Sequence, residues 1–194
     1  CNRITRLTVD GKLDASFNIG SGVDNSISSI EVLPSGKVII VGSFTNYNGI
    51  SRNHIAALNA DGTLDPTFNI GTGANDMIFH LALQPDGKIL IAGQFTSYNG
   101  IPRNRIARLN HDGSLDSTFN PGSGANDFIR YLALQPDGKL LVAGGFTTFN
   151  ATPRNRIARL NPDGTLDSTF NSITGANNSI LSIAIQTNGD IIIG

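Results

Sequence analysis

Short apolar runs broken by turn residues succeed one another along this chain, and the same series of runs returns every 51 positions. Arg3-Ile4-Thr5-Arg6-Leu7 comes back as His54-Ile55-Ala56-Ala57-Leu58, as Arg105–Leu109 and as Arg156–Leu160. Leu13–Asn18 comes back as Leu64–Asn69, Leu115–Asn120 and Leu166–Asn171. A turn, Pro85-Asp86-Gly87-Lys88, is repeated at Pro136–Lys139, with looser copies at Pro34–Lys37 and Thr187–Asp190. A fixed internal period of this length is the mark of an array of supersecondary units.

Within one unit the pattern predicts four short strands: a over Phe128–Gln135, b over Lys139–Phe146, c over Arg156–Asn161 and d over Leu166–Phe170. Strands a and b are joined at Pro136-Asp137-Gly138 and strands c and d at Pro162-Asp163-Gly164. Proline presets φ and glycine accepts positive φ, so both joints read as tight hairpins. No window carries apolar residues at helical spacing free of glycine or turn residues, so the class is all-β. In Leu140-Leu141-Val142-Ala143 the apolar positions are consecutive, and alternate side chains of a strand point to opposite faces. Both faces of that sheet must be covered, which a β-propeller achieves by packing each four-stranded antiparallel blade between copies of itself. Gly144-Gly145, with Gly42 and Gly93, marks a close backbone approach.

The chain is expected to form a single propeller domain, or an excerpt of a larger one. It holds full blades at about 26–71, 77–122 and 128–173, with blade halves at 1–20 and 179–194. Pairing the two halves would close a ring and remove two sheet edges. Self-association of two copies into a larger ring is the other way to cover them. A chain that starts and stops inside a repeat reads as a piece of something longer.

Composition removes several function classes. No apolar run approaches the roughly 20 residues of a membrane helix, so no membrane insertion is expected. The net charge is −1 and the 14 Lys and Arg are dispersed, which leaves no field to hold a phosphate backbone and argues against nucleic acid as a partner. Cys1 is the one cysteine; it can form no internal disulfide, and the polar spacer that follows a lipid-bearing cysteine is missing.

In an antiparallel meander the tight a–b and c–d turns share one rim, and the longer b–c and d–a connections share the other. Any ligand, protein or glycan, is therefore expected on the long-loop rim. Tyr47, Asn48, Arg52, Asp76, Tyr98, Asn99, Arg103, Asp127, Phe149, Asn150 and Arg154 are its candidate binding residues: an aromatic that stacks on a sugar ring beside groups that bond its hydroxyls. The competing reading is structural. Asn and Asp then bond their own loops, the arginines pair locally and the aromatics plug the blade edge.

Neither catalytic nor metal-binding chemistry is expected. His54, His80 and His111 occupy three different places in the repeat, with no spacing that would converge on a metal. Asn161–Asp167 resembles a fragment of a calcium loop but lacks the bidentate Glu. Gly20-Ser21-Gly22 and its copies precede no helix and lack the phosphate-binding lysine. Asp76 and Asp127, with Asp24 one position earlier in its unit, are the only acids suited to a glycosidase test. The expectation is a non-enzyme without cofactors.

The stretches Arg105–Gly122 and Leu132–Phe146 resemble the Delta-60 repeat, a β-propeller repeat of large bacterial secreted and surface proteins and some phage proteins, and the likeness runs through essentially the whole chain. The resemblance implies a propeller in an extracellular, cell-surface or virion setting, working as a binding, adhesive or structural scaffold with no catalytic assignment. The last unit departs from the pattern at Ser172-Ile173 and at Thr187–Asp190.

Overall fold

The computed structural model describes residues 3–171 and 175–194; Cys1 and the departure at Ser172-Ile173 lie outside the described residues. The first complete unit consists of β1 (Ile27–Val32), β2 (Val38–Gly42), β3 (Asn46–Tyr47), β4 (Ile50–Ser51) and β5 (Ile55–Leu58). It is followed by β6 (Ile78–Leu83), β7 (Ile89–Gly93), β8 (Ser97–Tyr98), β9 (Ile101–Pro102) and β10 (Ile106–Leu109). The third comprises β11 (Ile129–Leu134), β12 (Leu140–Gly144), β13 (Thr148–Phe149), β14 (Thr152–Pro153) and β15 (Ile157–Leu160), and β16 (Ile183–Ile185) and β17 (Ile191–Ile193) come last. All pairing is antiparallel, with β2, β7 and β12 each central in a three-stranded sheet. The fold is an all-β propeller of small repeated sheets.

The fourth strand of each unit is the shortest part of the blade. Instead of a run over Leu166–Phe170, one bridge joins Leu160 to Leu166, with the same pair at Leu58–Leu64 and Leu109–Leu115. Asp167 ends the run, because its Oδ1 accepts the amide of Thr169 at 2.9 Å and the Thr169 hydroxyl at 2.7 Å, turning the chain away. The other carboxylate oxygen takes Lys139 and Arg159, each at 2.8 Å. In the preceding unit Asp116 holds Lys88 and Arg108 in the same way. Burial alone would raise the Asp116 pKa, but these donors and Thr118 outweigh it and hold the carboxyl well below the ordinary carboxylate range.

The core lies between units, not within them. Along β7 the side chains alternate: Ile89 and Ile91 pack with Ile39, Val41 and Ile55 of the unit before, whereas Leu90 and Ala92 pack with Ile129, Leu132 and Val142 of the unit after. Every residue of β2, β7 and β12 is buried. Each large aliphatic there contributes roughly 1.5–3 kcal/mol of burial, and only an adjacent copy supplies it. Backbone bonds reinforce the stacking as each unit's exit reaches the next unit's c–d turn: Asn18 N donates to Asp61 O at 2.6 Å, Asn69 N to Asp112 O at 2.5 Å and Asn120 N to Asp163 O at 2.7 Å. In the register of the complete units β17 would pair with residues 4–7, yet among the described residues no ladder joins them. Leu7, Leu13, Ile192 and Ile193 are exposed.

The b–c connection contains a hairpin, β3–β4 and its copies. Asn48 and Gly49 lie at φ 49° and 78° and Asn99 and Gly100 at 48° and 73°, the pair of left-handed residues that a two-residue hairpin turn needs. The third copy places Asn150 at 47° and Ala151 at 59°, so a methyl group sits where the other two units have glycine. Ala151→Gly should therefore raise stability by about 0.5–1 kcal/mol, read as a higher Tm in thermal unfolding, and Gly100→Ala should lower it; an unchanged or lower Tm for Ala151→Gly would contradict this reading of the turn.

Candidate ligand-binding site

Each residue expected to bind on the long-loop rim is either buried or bonded within the chain. Tyr98 and Phe149 are 0% exposed and Tyr47 1%; no sugar can stack on them. They plug the joint between units, pairing with Val23, Ala74 and Ala125 of the preceding d–a connection. The Tyr47 and Tyr98 hydroxyls donate to Gly62 O at 2.6 Å and Gly113 O at 2.8 Å, and burial pushes the Tyr47 phenol up to about 12. Asn48, Asn99 and Asn150 accept the amides of Ser21, Thr72 and Ser123, each at 3.1 Å, so the two long connections brace each other. Arg52, Arg103 and Arg154 donate to the carbonyls of Ser51, Pro102 and Pro153, each at 2.8 Å. Asp76 and Asp127 accept the amides of Met77 and Phe128 at 2.7 Å. Of the eleven candidates, the three aromatics are thus corrected to core residues, and each of the eight polar side chains has a hydrogen-bond partner within the chain.

A different group of side chains is left over. Strands β1, β6, β11 and β16 lie beside one another in succession, and the first three each open with a β-bulge. Register steps between Ile27 and Ser29, between Ile78 and His80 and between Ile129 and Tyr131, making Ser28, Phe79 and Arg130 the inserted residues. In the last unit Leu181 N and Ser182 N both donate to Gly194 O, at 2.7 and 3.0 Å. The bulge explains the glycine that ends each strand b: a Cβ on Gly42, Gly93 or Gly144 would lie 2.1–2.2 Å from the carbonyl oxygen of Ser26, Met77 or Phe128. Bulges re-aim side chains, and here they bring five half-buried residues of two neighbouring units together.

The Phe79 ring meets Phe128 edge-on, centroids 6.0 Å apart at 89°. The Arg130 guanidinium lies over Phe79 at 5.0 Å. His80 stacks on Tyr131 at 4.1 Å and 39°. Gly145 makes room, since a Cβ there would stand 2.5 Å from the Phe128 ring; its counterparts are Ser43 and Gln94. His80 Nδ1 is buried without a partner, and burial, with the Arg130 charge acting in the same sense, pulls its pKa down to about 4. The site is neutral at His80 and cationic at Arg130 near pH 7. The repeated motifs do not point to this group, because its members are not repeated. The readable signal was the opposite one: Ser28, Phe79, Arg130 and Leu181 share one repeat position, and Ser29, His80, Tyr131 and Ser182 share the next.

Three segments, residues 33–68, 84–119 and 135–170, match the family described as a domain of unknown function (DUF5122) beta-propeller. The chain belongs to this family. The segments by which it matches DUF5122 begin after the innermost strand of each unit and end at Phe68, Phe119 and Phe170, so the whole cluster falls in the intervals between them. No curated protein matches the chain. Among solved structures it is similar to the extracellular domain assigned to a one component system, BT4673, from B. thetaiotaomicron, at 18% identity and TM-score 0.54, covering 87% of this chain and 20% of that one. It is also similar to YCF48 bound to D1 peptide, at 14% identity and TM-score 0.49, covering 93% of this chain and 48% of that one. This DUF5122 chain therefore spans about a fifth to a half of the length of those proteins.

The depressed His80 pKa fixes a direction of pH dependence. Below its ordinary value of 6.5 the unfolded chain takes up a proton that folded His80 refuses until about 4, so stability falls as pH drops through that window. Burial lowers the His54 pKa as well, adding to the loss. In denaturant unfolding at pH 7 and pH 4.5, His80→Phe should lose less stability than the parent chain; equal losses would contradict the burial of a neutral imidazole there.

Proposed function

We propose that this propeller is a non-enzymatic binding module of an extracellular or cell-surface protein, and that its ligand meets Phe79, His80, Phe128, Arg130 and Tyr131 rather than the loop tips. One observation carries the reading: these half-buried side chains are supplied by two units only, where the others have Ser26, Ser28, Ser29, Leu181 and Ser182, so the repeated blade forms without them, although Tyr131 also packs against Leu141, Ala143 and Ile157. Residues that every unit repeats maintain the unit; residues that single units add are available for recognition. Half-buried aromatic rings beside a cation are the composition of a binding site.

A catalytic role has less support. Asp76 and Asp127, the acids best placed by sequence, are each tied to the amide of the following residue. The extracellular setting is supported by the likeness of the repeat to Delta-60 proteins and by the extracellular domain in the structural comparison. The resident partner is a protein or a glycan.

A glycan array run beside immobilised candidate proteins tests the reading. Phe79→Ala and Tyr131→Ala should abolish whatever binding the parent chain shows, with Tm preserved to within a few degrees. Tyr98→Ala should instead unfold the chain or cost about 3–5 kcal/mol, as a core aromatic does. Binding retained by the Phe79→Ala/Tyr131→Ala double variant would overturn the assignment.

A further inference from the structure

We propose that the ligand of this cluster presents a single carboxylate to Arg130 and an apolar ring face to the neighbouring aromatics, the chemistry of an acidic saccharide built from uronic acid units. The inference rests on the binding reading above and adds the ligand class. Arg6, Arg108 and Arg159 pair with Asp14, Asp116 and Asp167. Arg3, Arg52, Arg103, Arg105, Arg154 and Arg156 each donate to a backbone carbonyl. Of the ten arginines, Arg130 alone donates no hydrogen bond and meets no carboxylate among the described residues, and its interaction is with the face of Phe79.

The N–H groups of this guanidinium are unpaired among the described residues, and they form the fork that takes a carboxylate by two parallel bonds. One cation matches one negative charge. A phosphate dianion would want a second, and Lys37, Lys88 and Lys139 are already paired with Asp65, Asp116 and Asp167. The other groups at the site are the half-buried rings of Phe79, Phe128 and Tyr131 and the half-buried imidazole of a neutral His80. A pyranose has an apolar C–H face for the rings and hydroxyls for the imidazole and the Tyr131 hydroxyl. A peptide would bring backbone amides that these side chains do not serve.

Tyrosine fluorescence reads the site directly. The chain has no Trp and 3 Tyr, two of which, Tyr47 and Tyr98, are buried and bonded to carbonyls, so Tyr131 is the tyrosine that a ligand can reach. Trigalacturonate, its methyl-esterified form and a tripeptide with a free C-terminus are titrated into the full chain, with Tm recorded for every variant. The expected result is quenching by trigalacturonate, at least tenfold weaker binding of the ester, and an equal loss for the acid in Arg130→Met with ester binding unchanged. Arg130→Lys keeps the charge without the fork and should recover only part of the affinity. Equal binding of acid and ester would overturn the carboxylate while leaving a binding module. Arg130-dependent binding of the peptide alone would overturn the sugar. No response to any of the three by a folded chain would overturn the inference, and the array with Phe79→Ala and Tyr131→Ala decides the binding reading separately.

Discussion

Strands β2, β7 and β12 are apolar on both faces, and that single fact dictates the remainder of the molecule. A strand with Ile89 and Ile91 on one side and Leu90 and Ala92 on the other has no face to turn to water, so a unit cannot be stable alone. The neighbour that covers it is another copy with the same requirement, and the structure propagates as a stack of interfaces. The connections serve the same end. Each unit leaves its own sheet at an Asp-centred turn, passes its amide to the next unit's c–d turn and then pairs with that unit's hairpin, closing Tyr47, Tyr98 or Phe149 into the joint.

Function has to be fitted around that frame. The loop aromatics Tyr47, Tyr98 and Phe149 and the asparagines Asn48, Asn99 and Asn150 link the connections of adjacent units. The freedom lies at the first residues of the innermost strands, where a bulge sets one residue outside the ladder and units differ at that position. Phe79 and Arg130 are the two extremes of that freedom, and they touch.

Much of this was legible in the chain. Strands a, b and c follow from apolar runs bounded by Pro-Asp-Gly turns, and the double-sided burial of Leu140–Ala143 pointed to the propeller. Strand d is shorter than the strand-like spacing of Leu166–Phe170 predicts, because Asp167 diverts the backbone with a side-chain bond that hydropathy does not register. The hairpins turn at Asn48-Gly49 and Asn99-Gly100, the strongest short turn signal, inside connections whose composition is otherwise that of a loop. The aromatics of the rim were ambiguous for a physical reason: a tyrosine whose hydroxyl must find Gly113 O and a tyrosine waiting for a sugar have the same neighbours in sequence. The contact between His80 and Tyr131 joins residues one full repeat apart, and only stacking of the units brings them together.

Hydrogen exchange under native conditions, followed residue by residue in mild denaturant, tests most directly whether burial between units holds the protein up. The amides of β2, β7 and β12 should exchange with one common free energy, that of global unfolding, because opening either face of one sheet exposes its neighbours. Three separate free energies, with β7 opening while β2 and β12 stay protected, would show that each unit stands by itself and would contradict the account.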